Sequence, residues 1–241
     1  MIRTVGFNRK IRLSYLDLAW QQILATGDAS TAMLDTMMAA DIHGANRRAK
    51  AVDEIRELLS APSTRQLVKC AAELCREKQL DPDDRLAVYW SLFLPAFPFV
   101  RQAWTVMGRF GKLGPQFSSR AYAQRLSDIY GGGRAVAISI EEVLGMMRDW
   151  GVVIMDKPGF YHLAPQRSIS KATQRLLLIA LCLTSDPPVY ALSHFPDELA
   201  LFPFKLRLSV ADLRHKNSGL AVSVQGGQDV MVEPTGWPVK E

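Results

Sequence analysis

The chain has 241 residues, 48% of them apolar and 22% charged, with 29 basic side chains against 24 acidic ones. Such a composition excludes a disordered or collagen-like polymer and gives enough length for one large domain or two small ones. The net charge of +5 permits nucleic-acid binding without requiring it. Three cysteines, Cys70, Cys75 and Cys182, have no metal-ligand spacing and suit buried thiols in a reducing cytoplasm.

Basic residues Arg3, Arg9, Lys10 and Arg12 open the chain without a following apolar run, so no signal peptide is expected. Helical spacing then places Leu13, Leu16, Trp20, Ile23 and Leu24 on one stripe, which Gly27 ends. A second short helix is expected over Ser30–Ala40, carrying Met33, Leu34, Met37 and Met38. The third, from about Asn46 to Leu59, turns Val52, Ile55, Leu58 and Leu59 inward and leaves Arg47, Arg48, Lys50 and Arg56 outside. Pro62 limits it, and Ser63 is placed to cap a fourth helix through Leu67, Val68, Ala71, Leu74 and Cys75. Asp81-Pro82-Asp83-Asp84 is a strong helix start, with acids at the positive end of the dipole. Five or six helices with short links predict a compact bundle.

Leu86–Val100 carries no charge and is nearly all apolar. It falls short of the roughly 20 residues a membrane span needs, and reads as a core helix broken at Pro95. Arg85–Ser127 holds no Asp or Glu, yet includes Arg101, Arg109, Lys112, Arg120 and Arg125 among aromatics such as Tyr89, Trp90, Phe93, Trp104 and Phe117. Interleaved cations and rings can make a single-strand platform. The rings are too dense for that and are expected in a core, while the basic residues after Arg101 remain candidates for a phosphate-facing surface. A loop at Gly111, Gly114 and Pro115 is taken as a domain boundary.

Two helix-then-hairpin units follow. The first has a lead helix Ser119–Tyr130 ended by Gly131-Gly132-Gly133, a second helix opening at Ser139-Ile140-Glu141-Glu142, and short β runs Gly151–Met155 and Phe160–Pro165. The second has a lead helix Lys171–Leu183, Pro187-Pro188, a short apolar helix near Phe195–Phe202, a helix Leu206–Asn217 opening at Ser209-Val210-Ala211-Asp212, and β runs Gly219–Val224 and Asp229–Pro234. Each opens on Ser followed three residues later by an acid, the pattern of a reciprocal cap. Each continues into β runs around a Gly-containing turn. Helix followed by hairpin is the core of a winged helix.

Charge separates the copies. Ser139–Trp150 presents Glu141, Glu142 and Asp149 against Arg148, and carboxylates repel phosphate, so this helix reads as a docking element. Leu206–Asn217 presents Arg207, Arg214, His215, Lys216 and Asn217 against Asp212 alone, and is the expected nucleic-acid reader. No phosphate-cradling loop, nucleophile elbow or metal-binding Cys/His cluster occurs, and His43, His162, His194 and His215 are scattered. The sequence therefore predicts a non-enzymatic protein with no metal and no cofactor.

Three features together resemble the BrxA family of bacteriophage-exclusion defence islands: the basic run His43-Gly44-Ala45-Asn46-Arg47-Arg48-Ala49-Lys50, the charge-free Leu86–Val100, and the helix-hairpin Ser139–Leu163 with Asp149-Trp150-Gly151-Val152. The resemblance covers about residues 8–180. It implies a NusB-like helical bundle followed by a winged helix, in a small cytoplasmic DNA-binding accessory protein without catalytic residues. The chain departs from it by continuing into the second helix-hairpin.

The expected fold is thus mainly α: a helical bundle over 1–116, a winged-helix unit over 117–168, a second winged-helix-like unit over 169–236, and a tail, 237–241. The expected function is duplex DNA binding in a prokaryotic phage-defence assembly. Arg47, Arg48, Lys50, Arg207, Arg214 and Lys216 are its phosphate contacts, with other defence proteins as partners and no membrane association. The alternatives are a protein-interaction scaffold of a larger complex and a winged-helix transcriptional regulator.

Overall fold

Helix-forming runs account for most of the chain. The computed structural model describes residues 7–77, 79–214, 219–225 and 229–236. Its α-helices are α1 (Leu13–Thr26), α2 (Thr31–Met38), α3 (Ala45–Ser60), α4 (Arg65–Glu77), α5 (Pro82–Ala96), α6 (Pro98–Leu113), α7 (Ser119–Tyr130), α8 (Arg134–Asp149), α9 (Lys171–Cys182) and α10 (Val210–Leu213). Short strands β1 (Phe117–Ser118), β2 (Val153–Lys157), β3 (Phe160–Leu163), β4 (Arg167–Ser168), β5 (Tyr190–Ala191), β6 (Phe204–Lys205), β7 (Leu220–Gln225) and β8 (Asp229–Pro234) complete it. The result is a mainly helical protein with small sheets. No described helix is long and apolar enough to cross a membrane.

Contacts divide the chain into two units, and the division is interleaved. The first takes the described residues of 1–60, 97–166 and 199–203, and the second those of 61–96, 167–198 and 204–241. This cuts across the consecutive segments 1–116, 117–168 and 169–236, because α4 and α5 group with α9 instead of with α1–α3.

In the first unit α1 buries Tyr15, Leu16, Ala19, Trp20 and Ile23, and Gly27 ends it with φ +84°. An extended strap, residues 7–12, lies between α3 and α8. Glu54 of α3 accepts the N–H groups of Asn8 and Arg9 at 2.6 and 3.1 Å. On α8, Glu142 accepts the Lys10 N–H at 2.9 Å, and Ser139 donates its hydroxyl to the Phe7 carbonyl. Trp150 follows α8 and donates its indole N–H to the Ile11 carbonyl at 2.8 Å. Phe7 and Ile11 are buried between these anchors.

Ser139 is therefore no cap. The helix begins five residues earlier at Arg134, right after the glycine run, and carries Ser139 buried in its interior. The Ser-x-x-Glu pattern describes only local chemistry, and the strap's need for a buried donor overrides it. Gly111 is likewise no boundary. It sits inside α6, where a Cβ would run into the Leu163 side chain of β3.

After α6 the chain runs β1, α7, α8, β2, β3. The three strands form an antiparallel sheet in the order β1-β3-β2, with Phe117 opposite Tyr161 and Val153 opposite Leu163. Ser118 caps α7 by accepting the Ala121 N–H at 3.1 Å. Phe110, Phe117, Tyr122 and Tyr161 fill the space beneath the sheet, with Phe110 and Phe117 stacked at 5.6 Å.

The second unit explains the charge-free run. α5 is buried from Leu86 to Leu94 and packs along α9, which is itself buried from Leu176 to Cys182. A helix apolar all round belongs in a core. α5 runs through Pro95 to Ala96, so the break falls at Phe97. Asp81 caps it by accepting the Asp84 N–H at 2.8 Å, Asp83 pairs with Arg167 at 2.9 Å, and Asp84 accepts the Ser170 N–H at 2.7 Å. The three aspartates thus have structural roles.

Beyond α9, β4 and β6 pair in parallel, and β5, β8 and β7 form an antiparallel sheet in that order. The apolar run near Phe195 forms a 3-10 segment, Leu192–Asp197, in this unit, and Leu199–Leu201 forms another in the first unit. The expected helix Leu206–Asn217 is a single four-residue turn, α10, within its described part; His215, Lys216 and Asn217 lie outside the described residues. Phe204 and Leu206 are buried while Lys205 and Arg207 are exposed, a period of two that makes an extended segment. The cap at Ser209 is present and reciprocal, with Asp212 as its acid.

Candidate nucleic-acid interface

The cations singled out in the sequence separate into two groups. Arg47 and Lys50 are exposed on α3 in the first unit, whereas Arg48 is half-buried and committed. Its guanidinium bonds the Asp35 carboxylate at 3.1 Å and the Ile42 carbonyl at 3.0 Å, tying α2 to α3. Arg207 and Arg214 are exposed in the second unit, and Lys216 lies outside the described residues.

Arg47 lines a cleft of about 380 Å³ with three cations from the start of the chain, Arg9, Lys10 and Arg12, none of them a site candidate from sequence. The strap delivers them. Their charges are largely met within the first unit: Arg9 pairs with Glu142 at 3.2 Å, Lys10 with Asp149 at 2.9 Å and Arg12 with Asp41 at 2.9 Å. Arg47 makes no ion pair among the described residues. Burial pushes the Glu54 carboxyl beneath the strap up to about 8, against the two backbone N–H bonds that pull it down.

These pairs change the electrostatics of α8. Two of the three carboxylates that made it a poor phosphate neighbour, Glu142 and Asp149, are held by strap cations. Glu141 remains exposed, as do Arg134 at the helix start and Arg148 near its end. On α7, Arg120 and Arg125 are exposed. The start of α7 is fixed to the hairpin turn, because the Ser119 N–H bonds the Gly159 carbonyl at 2.9 Å. Gly159 takes φ +80°, which only glycine adopts without strain, and so closes the turn. Lys157 lies over the Phe160 ring at 4.6 Å within the hairpin of this helix-hairpin element.

The same element exposes four large apolar side chains, Ile138, Ile154, Met155 and Phe160. Its hairpin is stiffened by Asp156, which accepts from Gln116 at 2.7 Å and pairs with His162 at 2.6 Å. The hydrogen bond from Gln116, followed by that from His162, holds the Asp156 carboxyl below its ordinary range. The aromatics between Tyr89 and Trp104 are buried, which removes the single-strand platform. Among the described residues no group of His, Cys, Asp and Glu is arranged to hold a metal.

In the second unit, Arg207 lines a cleft of about 340 Å³ with Lys171 and Lys205. Lys171 bonds the Arg207 carbonyl and pairs with Asp212 at 3.0 Å. Hydrogen bonds from Ser209 and Lys171 bring the Asp212 carboxyl down to about 2.

Comparison with known proteins gives no relative: no family model matches the chain, and no curated protein or solved structure is significantly similar to it.

Proposed function

We propose that the protein binds duplex DNA through α8 and the β2–β3 hairpin, as a non-enzymatic accessory component of a prokaryotic phage-defence assembly in the cytoplasm. The defence setting and compartment come from the BrxA resemblance. The observation that carries the DNA reading is the chain order α6-β1-α7-α8-β2-β3, with β1 hydrogen-bonded to β3. A winged helix has this plan, and its helix before the hairpin enters the major groove. Arg134 opens that helix, Arg120 stands on the first turn of α7, and Lys157 lies on the hairpin. Phosphate contacts from such positions supply most of the affinity for a duplex.

An anisotropy titration with a random-sequence duplex at two salt concentrations tests the reading. Affinity falls with salt, and replacing Arg120, Arg134 and Lys157 by Gln lowers it and shallows the salt slope by about one unit per contact removed. Absence of salt-sensitive binding overturns it.

Protein docking is the second reading, favoured by exposed Ile138, Ile154, Met155 and Phe160 on the same element. It predicts no salt-sensitive DNA binding and requires a partner among the other defence components.

A further inference from the structure

The cleft around Arg207 is built by alternation and pinned by one buried amide. From Phe204 onward the chain is extended, so Lys205 and Arg207 point out together while Phe204 and Leu206 are buried. Parallel pairing sets Lys205 opposite Ser168, and Ser168 with Lys171 supplies the other wall. Gln174 of α9, 4% exposed, brackets the two walls: its carbonyl oxygen accepts the Arg207 N–H at 2.7 Å and its amide donates to the Ile169 carbonyl at 3.0 Å. Ser168, Ile169, Lys171, Gln174, Lys205 and Arg207 line the space, three cations with no carboxylate among them.

We propose that this cleft binds a phosphate monoester, the end group of a nucleotide or of a nucleic-acid strand. Lys171 is matched by Asp212, whereas Lys205 and Arg207 make no ion pair among the described residues. Two unmatched cations suit a monoester carrying about −1.5 to −2 charge better than a singly charged carboxylate or an internal phosphodiester. Arg207 offers a planar fork that bonds two phosphate oxygens at once, and Lys205 a point charge. The cleft, about 340 Å³ and open to solvent, has room for a phosphate group. Gln174 and the β4–β6 pairing fix the backbone of both walls before a ligand arrives, which removes part of the ordering cost of binding. The site stands apart from the duplex-binding reading, which uses the other unit.

The test uses the full chain with four probes: adenosine 5′-monophosphate, adenosine, and one oligonucleotide bearing either a 5′-phosphate or a 5′-hydroxyl. At least one phosphorylated probe is expected to bind roughly tenfold tighter than its unphosphorylated counterpart, with inorganic phosphate competing the difference away. Preference for the monophosphate alone identifies a free nucleotide as the source, and preference for the phosphorylated strand identifies a strand end. Lys205→Gln and Arg207→Gln change exposed side chains and are expected to erase the preference, while Lys69→Gln on α4 retains it. The proposal is overturned if neither phosphorylated probe is preferred, or if the preference survives both cleft substitutions. A 5′-hydroxyl duplex titrated in parallel reads the first unit alone, so the two proposals fail separately.

Discussion

The two helix-hairpin regions share a sheet plan and differ in what stands before the hairpin. In both, a two-residue strand pairs with the far strand of a hairpin, giving β1-β3-β2 in one and β5-β8-β7 in the other. The first places the long helices α7 and α8 between that strand and its hairpin, whereas the second places 3-10 turns, extended chain and the single turn α10 there. Topology also re-pairs the lead helices: α6, which precedes β1, corresponds to α9, which precedes β5. A repeated sheet therefore does not imply a repeated helix surface. α8 is anchored by a strap from outside its own region, and α10 by a local cap and Lys171.

The anchoring difference is open to direct attack. Trp150→Ala removes a buried ring and the bond to the Ile11 carbonyl, and is expected to destabilise the first unit by about 3–5 kcal/mol in denaturant unfolding. If the loss is below about 1 kcal/mol, the strap does not hold α8.

Next in size is a pH effect confined to the strap. Glu54 has a raised folded-state pKa, so its contribution is fully present below the unfolded value near 4.5 and is lost as pH rises to about 8. Wild-type protein should lose on the order of a few kcal/mol across that window from this group. Glu54→Gln keeps an acceptor for the Asn8 and Arg9 N–H groups and should flatten the profile, making the variant the more stable protein at pH 9. Parallel melting curves for the two proteins across the window would expose the idea as wrong.

A substitution exchange sharpens the functional contrast. Arg134→Gln with Lys157→Gln should weaken duplex binding by roughly tenfold to a hundredfold, since each contact to phosphate is worth about 1 kcal/mol or more. Arg207→Gln should leave binding to a 5′-hydroxyl duplex unchanged. The reverse pattern would return the reading surface to the second unit. Smallest is Ser209→Ala, which removes one side of the reciprocal cap and is expected to cost about 1 kcal/mol; loss of more than about 2 kcal/mol would mean that α10 supports the sheet beside it.

Periodic segments were legible in the sequence. The stripe of α1 and its Gly27 stop, the span of α7, the Asp81 cap and the Ser209–Asp212 cap all follow from residues within one turn of each other. One failure depended on distant chain and another on a local pattern. Ser139 looks like a cap because the strap that needs its hydroxyl is 132 residues away. Leu206–Asn217 reads as a helix from its Ser209–Asp212 cap, but the alternation of Phe204, Lys205, Leu206 and Arg207 before the cap is a strand period and keeps that stretch extended. Site chemistry was legible in part: Arg47 and Arg207 line clefts, but Arg9, Lys10 and Arg12 reach Arg47, and Lys171 reaches Arg207, from other segments, whereas Lys205 shares the strand period of Arg207.

Interleaving has a consequence for biosynthesis. As the chain leaves the ribosome, α5 emerges with an apolar surface on every side, well before α9 has been translated to cover it. The first unit takes in residues 199–203, which are made later still. Each unit receives its last segment only after most of the other has been made, unlike domains that follow one another along a chain and fold in turn. Contacts between segments so far apart also favour slow folding. A chain released after Pro98 should therefore be a chaperone client, and no single cut in the gene can yield either unit whole.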